Sequence, residues 1–176
     1  MILLDTNVVS EPLKLAGHPA VLAWLDAQLI ETLCLSTISL AELRYGIAAL
    51  PDGKRKDTLH NSLEKRILPL FAGRILFFDE ATSKAYGELR ALAKAQGKAI
   101  APAVGYIAAT AICNSLMVAT RDTDPFEAAG LQVIILGFRL SDSTAPTLFP
   151  ASSYSPAGGS SIPARKSSRA VLPVTT

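Results

Sequence analysis

Short apolar runs alternate with longer amphipathic stretches over residues 1–136. Residues 1–4 are apolar until Asp5 stops them, which predicts a short buried strand followed by a helix that Thr6 or Asn7 caps. Pro12 and Gly17 break the next stretch. Pro19 then opens a helical spacing of Val21, Leu22, Trp24, Leu25 and Leu29. Residues 32–36 read as a strand. Ser39 with Glu42 three positions on matches a capping box and predicts a helix to about Leu50. Pro51-Asp52-Gly53 marks a turn, and residues 54–68 form a charged helix with Leu59, Leu63 and Ile67 along one face. Strand 74–78, helix 80–96 ended by Gly97, helix 103–114 after Pro102, strand 116–119 and strand 132–136 complete the pattern. Strands alternating with helices predict an α/β fold, a central parallel sheet covered by helices on both faces.

Composition changes this picture at the C-terminal end. Residues 141–176 hold nine Ser and five Pro without periodicity. The expected organisation is therefore one domain over residues 1–136 and a Ser/Pro-rich disordered tail over residues 137–176. The net charge of +2 also divides unevenly. Residues 1–140 carry fourteen basic and fourteen acidic side chains, whereas the tail carries Arg165, Lys166 and Arg169 against Asp142. A broadly basic coat for nucleic acid is excluded, so any nucleic acid on the body must be gripped locally.

Residues 99–120 carry no charge, a length that raises the question of a membrane span. Pro102, Gly105, Tyr106, Thr110, Asn114 and Ser115 interrupt the run, and much of the rest is alanine. A buried helix leading into a buried strand is expected, with no membrane association. Cys34 and Cys113 each sit in an apolar stretch and are expected to be buried free thiols in a reducing, cytoplasmic compartment. The N-terminus lacks the pattern of a signal peptide.

In an open parallel sheet, ligands bind beyond the carboxyl ends of the strands. Asp5, Asp79 with Glu80, and Asp122 with Asp124 follow expected strands, and Glu42 is expected in the first turn of the helix after the second strand. Carboxylates gathered at one edge raise one another's pKa unless a cation lies between them. Mg²⁺ suits that position, since it prefers oxygen ligands and keeps several waters. Each acid also has a structural reading: helix N-termini favour acids, Glu42 completes the capping box, and Asp79 and Glu80 open a helix. His18 and His60, the two histidines, give little support to a histidine-based nuclease or a Ser-His-Asp hydrolase. An aspartyl phosphotransfer domain is a further alternative, but no second acid lies two residues after Asp5 and no phosphate-binding lysine motif accompanies it. The helical stripes near Trp24 and Tyr45 either face the sheet or anchor a partner.

Four segments carry a family likeness: I-L-L-D-T-N-V-V-S-E, S-T-I-S-L-A-E-L-R-Y-G-I, G-Y-I-A-A-T-A and V-A-T-R-D-T-D-P-F-E-A-A-G-L-Q-V-I. Together they resemble the PIN-domain family, and within it the VapC/FitB-type toxins of type II toxin–antitoxin pairs. The resemblance spans residues 1–135. It implies a three-layer α/β/α sandwich and a Mg²⁺-dependent (or Mn²⁺-dependent) endoribonuclease. It also implies an RNA substrate, a homodimer and a cognate antitoxin. Asp5, Glu42 and Asp122 take the positions of three family metal acids, with Thr120 and Arg121 in the motif around the last.

The chain departs from the family in two places. Where the family has an acid opening the helix, this chain reads Val104-Gly105-Tyr106-Ile107-Ala108-Ala109. Valine offers neither oxygen nor charge, and even indirect losses around a metal cost about 10–100-fold. Reduced activity is expected, or alternatively a silent PIN domain that still dimerises and binds antitoxin. The tail is the second departure. A terminus replaced through frameshift or read-through is one origin; a basic tail that touches RNA by counterion release is another reading.

Overall fold

Among the described residues there are five strands, each two to four residues long and mostly apolar, and all of their pairings are parallel. In this computed structural model, residues 1–123, 126 and 130–136 are described. β1 (Ile2–Leu4) is followed by α1 (Thr6–Val9), a 3-10 turn at Glu11–Leu13 and α2 (Pro19–Ala27). Next come β2 (Leu33–Ser36), α3 (Thr37–Ala48), α4 (Lys54–Ser62), β3 (Ile75–Leu76) and α5 (Glu80–Ala95). α6 (Pro102–Cys113), β4 (Met117–Thr120) and β5 (Val133–Ile135) complete the described elements.

The strand order is β3-β2-β1-β4-β5. Leu3 lies opposite Cys34 on one side and Val118 on the other, which fixes the register of the three central strands. Because side chains alternate across a strand, each strand feeds two cores. Ile2, Leu4, Leu33, Leu35 and Ala119 pack with Val21, Leu25, Leu43, Ile47 and Phe71 on one face. Leu3, Cys34 and Val118 pack with Leu89, Ile107, Ala108 and Phe126 on the other. These two clusters make the expected three-layer α/β/α sandwich. The stripes of α2 and α3 face the sheet: Trp24 packs against the first core, while Tyr45 stays exposed.

Several sequence expectations need correction. α1 is capped by Asp5, whose side chain accepts from the Thr6 N–H, rather than by Thr6 or Asn7. α3 is capped by Ser36, not Ser39; the Ser36 hydroxyl accepts the Ser39 N–H at 2.9 Å. The capping box of Ser39 and Glu42 therefore does not form, because the helix begins three residues earlier and leaves Glu42 beyond its first turn. The charged helix is α-helical only to Ser62. A wider π turn at Leu63–Ile67 and a 3-10 turn at Leu68–Phe71 follow, with Pro69 removing an amide donor there. β3 is shorter than expected, since the Phe78 N–H bonds the Thr37 hydroxyl rather than a neighbouring strand. Cys34 is buried, but Cys113, at the end of α6, is exposed. The charge-free stretch folds as α6 and β4, and no helix among the described residues is long and apolar enough to cross a membrane. The expected tail, residues 137–176, lies outside the described residues.

Candidate functional site

Parallel strands end together, so the residues after them share one edge. The N–H of Asp5 still pairs with the Ala119 carbonyl at 3.0 Å, which holds the start of α1 against the end of β4. From that anchored position Asp5 Oδ1 accepts the Thr6 N–H at 2.7 Å, and Oδ2 accepts the Thr120 hydroxyl at 2.7 Å. The Thr120 oxygen in turn accepts from the Asp122 N–H and from Asn7 Nδ2, each at 3.1 Å. Asn7 Oδ1 accepts the Arg121 N–H at 3.1 Å. β1 and β4 are thus stitched together by polar side chains at the point where both leave the sheet.

Glu42 reaches the same edge from α3. The Thr6 hydroxyl donates to its Oε2, so Thr6 bonds one carboxylate through its backbone and the other through its side chain. The N-terminal part of α3 is pinned there because the buried Ser39 hydroxyl reaches the Leu4 carbonyl at 3.4 Å, beside Asp5.

Asp5 is 7% exposed. Burial pushes its carboxyl above the usual range, and the nearby charges of Glu42 and Asp122 push the same way. The hydrogen bonds from Thr120 and Thr6 oppose this shift without cancelling it. Asp122 is exposed. Asp124 lies outside the described residues. Asp79 caps α5 through the Thr82 N–H at 2.9 Å, which accounts for that acid structurally.

The chemistry of this donor set is carboxylate and hydroxyl oxygen, with no thiolate or imidazole. That favours a hard divalent ion. A cation would also offset the burial and the smaller repulsion by Glu42 and Asp122 that raise Asp5. Among the described residues, no three His, Cys, Asp or Glu side chains form a group compact enough to hold a metal by themselves. Val104 stands in the first turn of α6, half-buried, and packs against the second core. The cap position, Ala101, offers no side-chain bond either. The helix dipole would favour a carboxylate at position 104, where this chain has the uncharged Val104.

One buried acid escaped the sequence reading. Glu11 is 1% exposed and accepts from Lys14 Nζ, the His18 N–H and Arg121 Nη1, each at 2.7 Å. Burial raises its pKa, but these donors outweigh it and hold the carboxyl below the usual range. Glu11 thereby fixes Arg121, which adjoins Asp122. Only the Lys14 pair, three residues away, was visible as a local signal.

Comparison with known proteins identifies the family of this fold. The family model described as PIN domain matches residues 2–131. The VapC ribonuclease Y4jK of Sinorhizobium fredii is 59% identical over 134 residues, covering 76% of this chain and 96% of that protein. Toxin FitB of Neisseria gonorrhoeae is 57% identical over 133 residues, covering 76% of this chain and 96% of that protein. The crystal structure of FitAcB from Neisseria gonorrhoeae superposes with a TM-score of 0.73 at 57% identity, covering 76% of this chain and 96% of that one.

Proposed function

Because the chain belongs to the PIN domain family, we propose that it is a metal-dependent endoribonuclease, the toxin of a type II toxin–antitoxin pair. The observation that carries this reading is the convergence on Asp5: the Glu42 carboxylate joined to it through Thr6, the Asp122 backbone N–H joined through Thr120, and the charges of both acids acting on it. Two relatives, a VapC ribonuclease and Toxin FitB, support the same reading.

Asp5, Glu42 and Asp122 would hold Mg²⁺ or Mn²⁺. When bound, such an ion neutralises phosphate charge and makes a water more acidic. The chain's own residues do the positioning. Thr120 and the Thr6 N–H fix both oxygens of Asp5, so its carboxylate cannot rotate away. Thr6 orients Glu42. Glu11 holds the Arg121 guanidinium, leaving a cation close to the motif of Asp122 and suited to attract the RNA backbone. Val104 weakens the site by withholding one carboxylate. RNA is the proposed substrate, a cognate antitoxin and a second copy of the chain are the proposed partners, and the cytoplasm is the proposed location.

The test is cleavage of a structured RNA with Mg²⁺ or Mn²⁺. Asp5→Asn is expected to abolish it, and Val104→Asp to raise it by about 10–100-fold. Val104 also favours a second reading, a silent PIN domain that retains its protein partners. No cleavage by the natural sequence, with cleavage gained in Val104→Asp, selects that reading.

A further inference from the structure

Strand pairing already fixes the main chain at the sheet edge. The Asp5 N–H meets the Ala119 carbonyl at 3.0 Å, and the Leu136 N–H meets the Thr120 carbonyl at 2.9 Å. These bonds hold β1, β4 and β5 together, but they do not decide which way the polar side chains between the acids point. Asn7, half-buried in α1, makes that decision. Its amide bonds Thr120 and Arg121, the two residues that lead from β4 to Asp122.

The neighbours fix how the amide faces. The Arg121 backbone N–H can only donate, and the end of the Asn7 amide 3.1 Å from it is therefore the carbonyl oxygen Oδ1. The other end, the NH2 group, lies 3.1 Å from the Thr120 hydroxyl and donates to it. The Asp122 N–H donates to the same oxygen at 3.1 Å. A hydroxyl has two lone pairs and one proton. With both lone pairs taken, Thr120 has only its proton to place. Asp5 Oδ2 lies at 2.7 Å, the Asp122 carbonyl at 3.2 Å and Asn7 Oδ1 at 3.5 Å. The carboxylate is the nearest acceptor and the charged one, and Asn7 Oδ1 is already engaged by Arg121. The proton therefore goes to Asp5.

We infer that Asn7 is a positioning residue of the metal site: its amide turns the Thr120 hydroxyl toward Asp5 and so presets the direction in which the Asp5 carboxylate meets a divalent ion. This role deepens the nuclease reading and rests on it for the ion. Without the Asn7 NH2 group, one lone pair of Thr120 is open and the hydroxyl is free to turn to the Asp122 carbonyl. Asp5 then loses its one side-chain donor among the described residues and is held by the Thr6 N–H alone. Thr120 is fully buried, so bulk solvent does not stand in for the lost donor. A carboxylate held at both oxygens gives up less freedom on binding an ion than one held at a single oxygen.

The test is calorimetric titration of the full chain with Mn²⁺ in the absence of RNA. Asn7→Ala is expected to weaken Mn²⁺ binding by about 10- to 100-fold and to lower the melting temperature by about 2–8 °C. Ser36→Ala, which removes the α3 cap, should lower the melting temperature comparably and leave Mn²⁺ affinity unchanged. Two further backgrounds read the dependence on the hydroxyl. In Thr120→Ser, which keeps it, Asn7→Ala should cost the same factor. In Thr120→Val, which removes it, adding Asn7→Ala should cost less than about twofold more. Equal cost in all three backgrounds makes Asn7 a structural tie and overturns the inference, as does unchanged Mn²⁺ affinity in Asn7→Ala. Asn7→Ser, too short to reach Thr120, serves if Asn7→Ala fails to fold. A metal-free measurement keeps this role separate from the nuclease reading. The buried Thr120 hydroxyl proton should give a slowly exchanging NMR signal in the natural chain that Asn7→Ala removes. No Mn²⁺ binding by the natural chain is the failure of the metal reading. A hydroxyl signal unchanged in Asn7→Ala is the failure of the orienting role, whether or not Mn²⁺ binds.

Discussion

Asp5 and Glu11 are both nearly sealed from solvent, yet their surroundings are opposite. Glu11 meets Lys14, Arg121 and a backbone N–H, and its carboxyl is held low despite burial. Asp5 meets burial first, then Glu42 and Asp122, and its carboxyl is held high despite two hydrogen bonds. A buried acid surrounded by cations is already satisfied and serves the fold. A buried acid beside two other acids is left short of positive charge, which a ligand can supply.

Exchanging the two charges should separate these roles. Asp5→Asn is expected to lower cleavage at least about 100-fold while the melting temperature holds or rises, because a costly buried charge is removed. A large drop in stability would assign Asp5 to the fold instead. Glu11→Ala should do the reverse in calorimetry. It loses three short charge-assisted hydrogen bonds, and with Lys14 and Arg121 partly exposed the cost is about 2–3 kcal/mol.

The smallest structural effect among these is Ser36→Ala, which removes the true cap of α3 and costs about 1 kcal/mol in denaturant unfolding. Ser39→Ala also removes a buried hydroxyl, so only a combined measurement of α3 helicity isolates the cap.

Acid titration without metal sharpens the contrast further. Asp5 binds its proton more tightly in the folded chain, so its contribution is present at low pH and lost as pH rises through its raised pKa. Glu11 binds its proton less tightly when folded, so its contribution is present above the ordinary glutamate range and lost as pH falls through its lowered pKa. Thermal unfolding of Asp5→Asn against the natural chain should therefore diverge toward neutral pH in favour of the variant. Glu11→Gln should diverge over the same direction of pH against the variant. Parallel profiles for the two variants would erase the distinction.

The first half of this comparison was legible in the sequence and the second was not. An apolar run stopped by Asp5 marks a strand end, and parallel strands bring such ends together. Asp122 follows from the same rule at β4. Glu42 was legible as an acid on the helix after the second strand, but the capping box that offered its structural reading does not form, because the Ser36 hydroxyl takes the Ser39 N–H. Glu11 was missed because its decisive partner, Arg121, lies 110 positions away. Local patterns carry strands, helices and their ends; partners brought together by packing do not show in them.

The proposal at the centre of this comparison is that Asp5, Glu42 and Asp122 hold a divalent ion. Calorimetric titration with Mn²⁺ of the natural chain, Asp5→Asn and Glu11→Gln tests it most directly. The account predicts saturable binding that Asp5→Asn weakens at least about 10-fold and Glu11→Gln largely preserves. Equal Mn²⁺ affinity in the natural chain and Asp5→Asn would contradict it.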